Sequence, residues 1–230
     1  MNLMKPHRLQ LIDLTVWILL VALGVAARIE FRDLPNFKPV AALGLFAGYY
    51  FAMRRNTTGQ PDTAGFHLSA RAGGTAAALA VPFLVMGLSD LILGGYDPRL
   101  MAVVYLMLAA PVFAGPYLRR AFSLGSSSRF AFGSAVAGLC VCSLAGSLAF
   151  YIVTNFACWL LSTHYDRSLS GLATCYVNAL PFFRYTLAGD LCFACATFGV
   201  YAAWTYWRSG QLADAAGSPI DVAPSISTVE

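Results

Sequence analysis

The chain has 230 residues, of which 58% are hydrophobic and only 11% charged, and its formal net charge is +4. A typical soluble domain is about half apolar and about a quarter charged, so a soluble fold of this size could not hide so much apolar surface. The basic residues stand in pairs at the ends of apolar runs and form no stripe with interleaved aromatics, which excludes a nucleic-acid-binding module.

Charged residues divide the chain into apolar runs that suit a bilayer. The first is Leu14 to Ala27, the second Pro39 to Met53, the third Ala72 to Gly94 with Asp90 near its end, and the fourth Leu100 to Leu118. A fifth starts at Phe130 and meets no charge before Asp166, a stretch of 36 residues. As one helix it would measure about 54 Å against a hydrocarbon core of about 30 Å, so it either projects from the membrane or breaks. Thr154-Asn155-Phe156 is the expected point of exit. Ser168 to Leu180 reads as an amphipathic connector, and the last span begins near Pro181 and ends by Trp207, with Arg184 and Asp190 inside it. The expected fold is an all-α integral membrane bundle of six transmembrane helices. Residues 1–208 form one transmembrane domain, and 209–230 form a disordered tail rich in Ala, Ser, Pro and Asp. Residues 1–27 also carry the pattern of a signal peptide, whose removal would leave five spans.

Orientation follows the basic residues. With the N terminus inside, nine face the cytoplasm (Lys5, Arg8, Arg54, Arg55, Arg71, Arg119, Arg120, Arg129, Arg208) and six face out (Arg28, Arg32, Lys38, Arg99, Arg167, Arg184). The outer ones mostly have acids nearby. Both termini are therefore expected in the cytoplasm. Trp204, Tyr206 and Trp207 would form an inner aromatic belt, with Tyr49 and Tyr50 doing the same for the second span.

Small residues recur at four-residue spacing: Ala22 and Ala26, Gly44 and Gly48, Ala110 and Ala114, Ala145 and Ala149. Such faces allow close helix packing. Internal packing accounts for most of them, and Ala22 with Ala26 is the candidate docking face for a membrane-protein partner.

Ionisable groups inside spans need a partner, a proton or a wet cavity. Arg32, Asn36, Asp90, Asn155, Arg184 and Asp190 gather at the outer half of this topology and are the candidate solute-binding residues. Asp190 is the most isolated charge. Arg184 stands six residues before it on one helix, too far around for a direct pair. The competing reading is an internal ion-pair network that sets helix register. Catalysis is disfavoured: there is no nucleophile–base pair, no H-E-x-x-H and no Gly-x-Ser-x-Gly. No residue set points to a metal or a cofactor, and Cys192-x-x-Cys195 lacks a second ligand pair. A short echo links Val81-Pro82-Phe83-Leu84 before Ser89-Asp90 with Leu180-Pro181-Phe182-Phe183 before Gly189-Asp190, as inverted repeats would.

Five ordered motifs support a family resemblance. They are Arg32-x-x-Pro35-Asn36-Phe37-x-Pro39-Val40-x-Ala42 with Leu45-Phe46-Ala47-Gly48, then Ser89-Asp90-x-x-Leu93-Gly94, then Thr154-Asn155-Phe156-x-x-Trp159. Gly171-Leu172-x-x-Cys175-Tyr176-x-x-Ala179-x-Pro181-Phe182-Phe183 and Thr186-Leu187-x-Gly189-Asp190-Leu191 complete the set. Over residues 25 to 200 the chain resembles an uncharacterised family of small bacterial inner-membrane proteins, a domain of unknown function. In layout it is similar to the substrate-binding S components of energy-coupling-factor transporters, a likeness of architecture that does not establish function. The resemblance implies six helices, inside termini, an outer-facing pocket and a partner subunit. The resulting expectation is a solute-binding membrane subunit of a transporter, taking a small polar solute. The alternative is a structural or assembly subunit without its own ligand.

Overall fold

The computed structural model describes residues 6–34, 36–53, 64–121 and 129–217. All regular structure in them is helical: α1 (Pro6–Glu30), α2 (Val40–Met53), α3 (Ala64–Leu93), α4 (Pro98–Ala109), α5 (Pro111–Ala121), α6 (Arg129–Leu161) and α7 (Leu169–Gly217). Five stretches are long and apolar enough to cross a membrane: Gln10–Glu30, Gly73–Leu93, Pro98–Arg119, Gly133–Leu161 and Leu169–Gln211. These are the marks of a membrane protein. The Arg54–Arg55 loop and residues 218–230 of the tail lie outside the described residues, and 209–217 continue α7.

The exception among the apolar helices is α2. Its 14 residues extend only about 21 Å, yet its side chains are almost all buried, with Val40, Leu43 and Ala47 fully so. Against it pack α3, α5 and α7. An apolar helix hidden all round is a core element, and α2 is the axis of this bundle. Glycines make the approach possible. A Cβ on Gly48 would overlap the backbone carbonyl of Val112, and one on Gly115 would overlap the backbone of Gly48 and Tyr49. Thus α2 and α5 touch backbone to backbone, the close packing that small residues permit.

Tyr49 and Tyr50 do not belong to an interfacial belt. They are 3% and 5% exposed and stack with Phe46, Phe198 and Tyr201 in the core. The pair occupies the last turn of an apolar run, where a belt residue would sit, but α7 closes over that turn. Trp204, Tyr206 and Trp207 are exposed, as a belt requires.

The long runs stay helical. α6 does not leave its helix at Thr154-Asn155-Phe156 but continues to Leu161, and the Asn155 side-chain amide donates to the Tyr151 carbonyl at 2.7 Å. Satisfying that polar group locally lets the helix project beyond a membrane's thickness instead of breaking. The expected connector at 168–180 is the first part of α7, a single helix of 49 residues, about 73 Å long. The Ser168 hydroxyl caps its start by accepting from Gly171 N at 3.1 Å. Pro181 lies inside it, tolerated where neighbouring helices cover the freed backbone. The fourth span is instead the divided one. Asp97 caps α4 by accepting from the backbone of Arg99 and Leu100, and Pro111, which has no N–H to continue the ladder, opens α5.

Candidate functional site

The C-terminal ends of α1 and α3 carry a buried ion pair. Arg28 Nη2 donates to Asp90 Oδ1 at 2.8 Å, and the two side chains are 4% and 7% exposed. Arg28 Nη1 also reaches Ser89 Oγ at 2.6 Å and the Met86 carbonyl at 3.3 Å. The second carboxylate oxygen of Asp90 accepts from the Tyr105 hydroxyl of α4 at 2.5 Å. Three helices are thereby fastened by one carboxylate whose two oxygens are both engaged. Arg28 Nε is the one buried side-chain polar atom without a partner among the described residues.

Lys38, on the segment between α1 and α2, stands within the field of this pair. Burial holds its ammonium below the ordinary value; the Arg28 charge adds to that, and Asp90 opposes it. In the α3–α4 loop, Tyr96 is pushed up from its ordinary value, first by burial and then by the Asp90 charge.

A second polar region lies between α6 and α7. Asn36, Phe150, Tyr151, Thr154, Asn155, Ala179, Phe182, Phe183 and Thr186 line a cleft of about 70 Å³. Asn36 reaches it from a left-handed turn, φ 62°, a conformation that asparagine adopts more readily than most residues. The turn is held by Phe31, Phe37 and Phe193, whose ring centroids lie 5.4 to 6.1 Å apart. A Cβ on Gly189 would stand 3.0 Å from Lys38 N, so that glycine lets the segment lie flat on α7.

One helical turn beyond the cleft, on the same two helices, is Asp190. It is 5% exposed, and the Ser147 hydroxyl donates to its Oδ2 at 2.5 Å. Ser147 is fully buried. No cationic side chain among the described residues lies within ion-pairing distance of Asp190.

The sequence-derived candidates therefore separate into three groups. Asn36 and Asn155 share the cleft, with Asp190 beneath it. Asp90 belongs to the ion pair with Arg28, which links α1 and α3. Arg32 and Arg184 join neither: Arg32 is exposed, 3.9 Å from exposed Asp33, and Arg184 turns outward over the ring of Tyr185, 4.9 Å from its centroid. Arg32 lies in the turn that follows α1, and Arg184 lies on an exposed face of α7. Arg28, Tyr105, Ser147, Thr154 and Thr186 were missing from the candidate set. Ser143 and Ser147, four residues apart in an apolar run, were the available signal for the buried serine; Tyr105 had none.

Ala22 and Ala26 are exposed on α1 beside Leu19 and Leu23, while Gly24, on another face, packs against Val85 and Leu43.

No curated protein and no solved structure matches the chain. A family model does, over residues 63–212. That span takes in α3 through α7 with Asp90, the α6–α7 cleft walls and Asp190, and begins after Arg28, Asn36 and α2. The chain belongs to the family of unknown function DUF6580.

Proposed function

We propose that this protein is a membrane-embedded binding subunit for a small polar solute, serving as the substrate-specific component of a transporter. The observation that carries the reading is the cleft between α6 and α7, where Asn36, Thr154, Asn155 and Thr186 bring polar atoms together among aromatic walls. Polar groups placed in an otherwise apolar recess are the usual form of a small-molecule site. At about 70 Å³ the cleft is smaller than the usual ligand pocket of about 300–1,000 Å³, which restricts the solute to a few atoms. In this reading α2 is a sixth crossing, short because it is sheathed by protein. The bundle sits in a bacterial inner membrane with both termini in the cytoplasm, so that the cleft opens outward. In the same reading the exposed Ala22 and Ala26 face of α1 docks a partner subunit, as in the S components of energy-coupling-factor transporters.

The test is a thermal-shift panel of small polar metabolites on the purified protein. A binder should raise the Tm of the wild type and of Arg184→Gln, whose side chain lies outside the cleft, and should fail on Asn155→Leu. A panel that stabilises nothing, or stabilises Asn155→Leu equally, rejects the reading. Reporter fusions after Gly59 and Gly125 should score cytoplasmic, and those after Asp97 and Arg167 external.

A second reading, a structural subunit without a ligand, draws support from the Arg28–Asp90 pair, in which both carboxylate oxygens are engaged within the protein.

A further inference from the structure

Asp190 presents an unbalanced charge account. A carboxylate removed from water needs an opposite charge or several hydrogen bonds, and within a membrane the demand is stronger. Asp190 has one hydroxyl, that of Ser147. The basic groups nearest in sequence and fold are committed elsewhere. Arg28 is held by Asp90, and Arg184 faces outward over Tyr185. Lys38 touches α7 at Gly189 through its backbone, while its side chain lies in the field of Arg28 and Asp90. On α6, Tyr151 donates its hydroxyl to the Tyr176 carbonyl at 2.7 Å. Tyr49 and Tyr50 of α2 stack in the core further down the bundle, against Phe198 and Tyr201. None of these supplies a positive charge to Asp190.

The cleft ends about one helical turn short of Asp190. Thr186, four residues before Asp190 on α7, and Phe150, three after Ser147 on α6, both line the cleft. Its roughly 70 Å³ exceeds what one water needs, about 10–15 Å³, so a small ion with part of its hydration can occupy it. The donor set fixes the charge. One carboxylate and a neutral hydroxyl balance a single positive charge, whereas sites for divalent ions gather more oxygen ligands and more carboxylates.

We propose that Asp190 is a site for one monovalent cation, a proton or a small inorganic ion, which reaches it through the Asn36–Asn155 cleft and supplies the positive charge the protein withholds. The inference names a ligand class for the cleft and so rests on reading the cleft as a binding site, but it requires no organic solute.

The experiment measures Tm of the full chain in detergent at constant ionic strength. Choline chloride is replaced stepwise by sodium, potassium or ammonium chloride, and a pH series is run in choline alone. An inorganic ion that fills the site should raise Tm by about 3 °C per tenfold increase above its Kd. If the proton is the ligand, Tm should instead rise as pH falls, with no preference among the salts. Either response should vanish in Asp190→Asn, whose neutral amide needs no counter-charge, and should persist in Asp190→Glu. Ser147→Ala should shift the response about tenfold in ion or proton concentration, the equivalent of one hydrogen bond to a charged group. Equal responses in wild type and Asp190→Asn overturn the proposal, as does a wild type indifferent to every salt and to pH. Should Asp190→Asn fail to fold, isotope-edited infrared spectroscopy of the wild-type carboxyls decides: an aspartate signal unmoved by ions and pH overturns it. An ion response without any stabilising metabolite would uphold the cation site and reject the organic-solute reading; a metabolite response without an ion response would do the reverse.

Discussion

Two buried aspartates stand in short similar sequences, Ser89-Asp90-Leu91 and Gly189-Asp190-Leu191, and meet opposite surroundings. Asp90 has both oxygens engaged, one by Arg28 and one by Tyr105. Asp190 has a serine. The residue before each explains part of the difference. Ser89 has a side chain that joins the Arg28 network. Gly189 has none, and the Phe37–Lys38 backbone fills that space instead. A buried carboxylate that is satisfied within the protein is a fastener. One left to find its counter-charge in solution is available for binding.

The largest effect should come from breaking the fastener. Asp90→Asn leaves the Arg28 guanidinium buried and unpaired, at a cost of about 3–5 kcal/mol. The double variant Arg28→Met/Asp90→Asn should recover much of that loss, since no charge then remains to compensate. Chemical denaturation of the three proteins measures it. A double variant as unstable as the single one would show that the pair is not the source of the penalty. Asp190→Asn, in contrast, should leave stability nearly unchanged.

Next comes the packing on the paired side. Gly48→Ala forces a Cβ into the Val112 carbonyl and should cost about 1–3 kcal/mol through overpacking. Gly146→Ala on α6 adds a Cβ that meets only the ring of Pro111 at 3.9 Å and should be neutral or slightly stabilising, because alanine is the better helix former. Comparable losses at the two positions would contradict a bundle organised tightly about α2.

Ser147→Ala should have a smaller effect, about 1–2 kcal/mol, since it removes one hydrogen bond to Asp190. The loss should disappear when the change is made in Asp190→Asn, if the serine acts only through that carboxyl. A cycle of the four proteins measures the coupling.

The smallest effect concerns Lys38, which senses Asp90 and not Asp190. Its folded-state value lies below its ordinary value of 10.5. The folded protein therefore releases this proton before the unfolded chain does. Over that interval the unfolded state holds more protons, and stability contributed by this residue rises with pH. Denaturant titrations from neutral pH to about 10 should show a gentle upward slope that Lys38→Met flattens. A slope unchanged in Lys38→Met would assign it to other groups.

Composition and the spacing of charges were enough to establish an all-helical chain with several membrane-length runs, because a run's hydrophobicity is a local property and the bilayer imposes a known length on it. Proximity was partly legible: Asn36 and Asn155 line one cleft, and Asp190 lies about a helical turn from it. Facing was not. Arg184 and Asp190 share a helix, and a helix turns through 100° at each residue. The packing of α6 and α2 against α7 decides that Asp190 points in and Arg184 out. The central place of α2 was equally hidden. Its run reads like any other apolar span until Gly48 and Gly115 bring α5 against it, and the other helices then close around it. Which aspartate would find an arginine was likewise a matter of assembly, since Arg28 and Asp90 are 62 residues apart and meet only because α1 and α3 pack side by side.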